Sequence, residues 1–225
     1  MTAVTVSCQV LGVLLPTTLK PALQRSEATL FVMACGAIIS NKESLSGLCQ
    51  AGKRYVTRIN LHTHWVHTNL RLQLTNIVAF GAKGFHPLLV TPFATDYVQR
   101  VLVEGFPLQK SLVNLITFSN YLSRHSDVVH ICPLQGTAKL YIWTHPVIRP
   151  WGQHLPPQCR MCGHVESWRT PPQKHGSDLI FSCSKQGCRS TFRASPPDKK
   201  YSWPSGDANG GHWMQIDLGA EFGPK

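Results

Sequence analysis

A chain of 225 residues has room for one sizeable domain and a small second one, and its 43% hydrophobic content excludes a disordered polymer. Its 22 Lys and Arg against 11 Asp and Glu leave a formal charge of +11, which fits either a polyanionic partner or ordinary solubility charge. So few acids supply carboxylate chemistry poorly, and there is no Gly-rich phosphate loop, Ser-His-Asp order or pair of carboxylates to suggest an enzyme.

Met1 to Leu15 is mostly apolar, and Val10 to Leu15 has the composition of a signal-peptide core. A basic segment before it and a small-residue cleavage site after it are both missing, so secretion is not expected. No apolar run reaches the roughly 18 residues a membrane helix needs. Cys8, Cys35, Cys49 and Cys132 are scattered through apolar surroundings and read as buried free thiols of a reducing compartment. The expected location is intracellular, nuclear or cytoplasmic.

Residues 17–25 read as a short helix. Leu30 to Cys35 is a continuous apolar run bounded by Gly36, the pattern of a strand buried on both faces. Asn41 is placed to cap a helix. Residues 49–75 carry His62, His64 and His67, four basic residues and no period, so they read as a loop or insertion. The histidines lack a carboxylate or cysteine partner nearby and read as solvent-facing. Asn76 to Gly81 is a second short buried strand. Thr91-Pro92 opens a helix whose apolar face carries Phe93, Tyr97, Val98, Val101 and Leu102, and Gly105 ends it. A second helix is expected from Leu108 to about Leu122. Asp127–Cys132 and Lys139–Trp143 follow as strands. This order predicts an α/β domain over residues 1–145, with a mostly parallel sheet and flanking helices.

Residues 146–158 hold four prolines and no periodicity, which makes a stiff linker. Next comes Cys159-Arg-Met-Cys162, then twenty residues, then Cys183-Ser-Lys-Gln-Gly-Cys188. Two cysteine pairs at this separation have the spacing of a four-thiolate zinc ribbon, here over residues 159–193. Each short loop lets two sulfurs face one ion, and Gly163 and Gly187 suit the tight turns required. Two disulfides or four idle thiols are the competing readings, and His164 or His175 could replace a cysteine. Residues 149–200 carry nine Lys and Arg against three acids. Arg160, Arg169, Lys174, Lys185, Arg189 and Arg193 are the candidate phosphate contacts to DNA or RNA, with Trp168 and Phe192 as candidate stacking rings. Residues 194–225 form a Trp- and Gly-rich tail, expected to pack its tryptophans on the ribbon.

Leu30-Phe-Val-Met-Ala-Cys35-Gly36 resembles the nucleophile strand of caspase-like and CHAT-like (clan CD) cysteine peptidases. Asn76 to Phe80, followed by Thr91 to Leu102, resembles a strand and helix of the small-subunit half of that fold. Together with Arg149-Pro-Trp-Gly152 and the ribbon, the chain also resembles a group of proteins from mushroom-forming fungi. The resemblance covers roughly residues 25–145. It implies the C-terminal half of a caspase-like fold, with Cys35 as a weak candidate nucleophile. The family's general-base histidine lies upstream of that cysteine, and no histidine precedes His62 here, so the resemblance implies a non-catalytic copy. It also implies an exposed sheet edge open to a protein partner. The expected function is a non-catalytic zinc-ribbon protein that binds nucleic acid. The alternative is a degenerate caspase-like protein whose ribbon is a structural or protein-interaction module, with an active cysteine peptidase behind both.

Overall fold

The computed structural model describes residues 28–33, 41, 43–48, 74–82, 84–165, 167–204, 207–208 and 210–219. The expected helix at 17–25, Cys35, and His62, His64 and His67 lie outside them, as do Cys8 and Cys49.

The apolar runs become strands of one main sheet, with helices on both of its faces. β1 (Ala28–Val32), β2 (Leu74–Phe80) and β3 (Val128–Cys132) lie side by side, and β4 (Thr137–Thr144) pairs with β3. On one face Val78, Phe80, Val128, Tyr141 and Trp143 pack against three helices. These are α2 (Thr91–Tyr97), extended by a π-helical turn at Val98–Val103, then α3 (Leu108–Phe118) and α4 (Asn120–His125). Phe31, Phe80, Phe93 and Tyr97 meet there edge to face, at centroid separations of 4.7 to 5.8 Å. On the opposite face Ile77, Ala79, Val129, Ile131 and Ala138 cover Leu45 and Leu48 of a short helix, α1 (43–48). The Asn41 carboxamide oxygen accepts from the Ser44 amide at 3.0 Å, so the expected cap is in place.

Where a single helix was expected from Leu108 to Leu122, the chain breaks at Ser119. Its hydroxyl accepts from the Leu122 amide at 3.3 Å and donates to the Leu89 carbonyl at 3.2 Å, which starts α4 in a new direction. No helix among the described residues is long and apolar enough to cross a membrane.

The sheet is mixed, not mostly parallel as its element order suggested. β1 and β2 are parallel, whereas β2–β3 and β3–β4 are antiparallel. The reason for the last pair is short: Pro133 to Gly136 gives a four-residue turn, and a parallel crossover needs a dozen residues or more.

The second correction concerns the tail. β10 (Gly211–Asp217) does not rest on the ribbon; it pairs antiparallel with β4, from His212 opposite Thr144 to Asp217 opposite Lys139. Trp213 stands beside Trp143 and is fully buried in the helix-covered core. Two short strands, β8 (Tyr201–Ser202) and β9 (Asp207–Ala208), pair with β10, so the main sheet runs β1-β2-β3-β4-β10-β8. The cysteine-bearing segment is thus spliced between two neighbouring strands of the main sheet.

One polar group lies inside the helix-covered face. His130 Nε2 donates to Asn76 Oδ1 at 2.9 Å, and both residues are buried. Cys132 sits beside them with the Gln109 carboxamide donating to its sulfur at 3.0 Å, a buried free thiol as its apolar surroundings implied. Burial, reinforced by nearby Lys139, pushes the His130 pKa from 6.5 down to about 4. The folded state therefore resists the proton that the unfolded chain accepts. Stability is complete above about pH 6.5 and falls as pH drops toward 4, by about 3 kcal/mol from this group. Urea unfolding of the parent and a His130→Gln variant should give a stability difference that shrinks across that window. A difference independent of pH would mean that folding leaves the His130 pKa at its unfolded value.

Candidate metal centre

The small sheet that carries the cysteines consists of β5 (Gln173–His175), β6 (Asp178–Ser182) and β7 (Thr191–Ala194), all antiparallel. β6 runs straight into Cys183, whose amide donates to the Ser190 carbonyl at 2.9 Å. The Cys188 amide closes the turn on the Lys185 carbonyl at 3.1 Å, and Gly187 takes φ 79° within it. The first pair repeats the device. The Cys159 amide donates to the His164 carbonyl at 2.9 Å, the Gly163 amide returns to the Cys159 carbonyl at 2.8 Å, and Gly163 has φ 66°. A β-carbon resists that left-handed conformation, so glycine after Cys162 and before Cys188 is what lets both turns close.

These two knuckles face each other. All four sulfurs lie within 4.8 Å of one another, with Cys159 and Cys188 at 3.9 Å and Cys162 and Cys183 at 3.7 Å. Such separations exclude disulfides, whose sulfurs lie about 2.05 Å apart. They match the edge of a tetrahedron of thiolates about 2.3 Å from a central ion, which is about 3.8 Å. Neither His164 nor His175 joins the cluster; both are exposed. The four cysteines can therefore hold a metal ion.

Without a cation, so dense a set of thiols cannot ionise together. A hydrogen bond from the Ser190 side chain draws Cys159 down to about 6. Burial pushes Cys183 up to about 12. A divalent ion removes this conflict by allowing all four to bind as thiolates.

The chain matches no protein-family model, no curated protein and no solved structure.

The residues expected to contact nucleic acid fall into two groups. Arg160, Arg169, Lys174, Lys185 and Arg189 are exposed around the knuckles and the small sheet, and none forms an ion pair with another described residue. Lys185 and Arg189 line an open groove of about 770 Å³ together with Met161, Cys162 and Cys188. Arg193, by contrast, is tied to Asp178, its Nε donating to Oδ2 at 2.6 Å and its Nη2 to the same oxygen. That hydrogen bond is the main reason the Asp178 carboxyl is held below the usual range.

Trp168 and Phe192 are half-buried and lie against neighbouring rings. Their rings lie 5.8 Å apart, Phe192 lies 6.3 Å from the fully buried Phe181, and the Trp168 indole donates to the Pro156 carbonyl at 2.7 Å. They supply the apolar centre of the cysteine module. Sequence reasoning passed over two features here. One is Met161, 80% exposed at the lip of the groove. The other is a surface group of rings, Trp151, Tyr201 and Trp203, whose only linear signal is the pattern Lys199-Lys-Tyr-Ser-Trp203.

Proposed function

We propose that Cys159, Cys162, Cys183 and Cys188 bind one zinc ion in a ribbon, and that the basic surface around this ribbon binds DNA or RNA. The reading is carried by one juxtaposition: four sulfurs at tetrahedral spacing beside an open groove walled by Lys185 and Arg189. Four thiolates fill the coordination sphere of zinc and leave no position for substrate, so the ion's role is structural. Holding the knuckles together presents Lys185 and Arg189 on a fixed loop, with Arg160 on the other knuckle. Such guanidinium and ammonium groups attract phosphate without reading sequence. No catalytic residue is assigned.

Binding through phosphates releases condensed counterions, so affinity must fall with salt. Neutralising about four phosphates gives a log–log slope of about −3.6 on duplex DNA. Replacing Arg160 and Arg189 together by Gln should flatten the slope by about two units while zinc content stays at one equivalent. A flat slope for the parent protein would hand the same surface to a protein partner instead.

A further inference from the structure

Trp151, Tyr201 and Trp203 form a triangle of rings with centroids 5.8, 5.9 and 6.0 Å apart. It sits where the cysteine module meets the main sheet: the Trp151 indole donates to the Ser177 carbonyl in the turn between β5 and β6. Trp203 is 47% exposed and its ring lies 6.3 Å from that of exposed His212 on β10. Trp151 and Tyr201 are half-buried beside it. Trp151 holds φ 50°, ψ 29°, a left-handed conformation rare for a bulky side chain. Such a conformation persists only where its surroundings enforce it, and it fixes the indole on this surface.

Rings in mutual contact leave no hollow between them, so the group is not a cage for a cationic ligand. Its most exposed ring, that of Trp203, is large and apolar, while Lys199 and Lys200 are exposed just before Tyr201. An apolar ring face beside cations complements an unpaired base with its phosphate. We propose that this triangle is a stacking platform for single-stranded nucleic acid, with Trp203 as the stacking residue and Lys199 and Lys200 as the phosphate contacts. The inference rests on the nucleic-acid reading above and narrows it to single strands, because a duplex keeps its base faces inside its own stack. The platform and the cysteine groove lie at opposite ends of β6. The six residue steps from Ser177 to Cys183 span about 20 Å, so one short strand can engage both.

The test is an anisotropy titration of the zinc-loaded full chain with a labelled oligothymidylate and with a duplex of equal length, at one salt concentration. The single strand should bind more tightly and quench tryptophan emission. Trp203→Ala should weaken single-strand binding about 5- to 150-fold and leave duplex binding unchanged, whereas Trp203→Phe should keep most of it. Zinc content and the unfolding midpoint of each variant report on its fold. If the parent binds neither probe, the nucleic-acid reading fails and the platform with it. If the parent binds but its emission is not quenched, or Trp203→Ala binds the single strand as tightly as the parent does, the platform alone is overturned. The rings are then only the joint between module and sheet.

Discussion

With zinc in the four-cysteine site, as proposed, chelation will unfold the cysteine module and leave the main sheet standing. Structural zinc in small four-ligand sites contributes on the order of 10–16 kcal/mol at neutral pH, comparable to the whole stability of a domain. The module has little else. Its apolar centre is Phe181, Phe192 and Trp168, far too small to order the segment alone. The main sheet needs none of it, because β4 and β10 pair directly over six residues. Hydrogen exchange in the presence of a strong chelator should therefore rise sharply across Asp178–Ala194 and change little across Val128–Cys132. Cys183→Ser should cut zinc well below one equivalent, since Cys183 is the most deeply buried of the donors together with Cys159. A Cys183→Ser protein with full zinc content, or chelation that leaves exchange at Asp178–Ala194 untouched, would remove the four-cysteine site from consideration.

Trp213→Ala should destabilise the main domain by about 3–5 kcal/mol, although Trp213 lies in a segment that reads as an appendix. Its ring is fully buried among Tyr141, Trp143, Leu112 and the rest of the helix-covered core. Truncation leaves a cavity that the packed helices cannot close. The indole nitrogen finds no hydrogen-bond partner among the described residues. Trp213→Phe removes that unsatisfied donor along with part of the ring, so its cost should be clearly smaller than that of Trp213→Ala. Denaturant unfolding followed by exchange at Val128–Cys132 decides the matter. An unchanged midpoint for Trp213→Ala would mean that β10 does not belong to the main sheet.

The four-cysteine cluster was legible in the linear chain because its chemistry is local. Cysteines with two and four residues between them, each pair beside a glycine that can take a left-handed turn, almost dictate a pair of knuckles. The twenty-residue spacer then leaves few ways to arrange them other than face to face. The strands at Asn76, Asp127 and Lys139 were legible for a similar reason, since apolar runs of that length must be buried. The short turn at Pro133–Gly136 already implied an antiparallel pair, a signal outweighed by the alternation of strands and helices.

What the tertiary structure alone decided is which distant segments meet. β10 finds β4 across some seventy residues, and no local pattern in Gly211–Asp217 names that partner; only the vacancy beside Trp143 does. The roles of the rings were settled the same way. Trp168 and Phe192 stand among cations in the sequence just as Trp203 does, yet those two are half-buried against each other and Trp203 is 47% exposed. A small module must spend its large rings on its own interior before any are left for a ligand, and which ring is left over depends on packing, not on the neighbours it has along the chain.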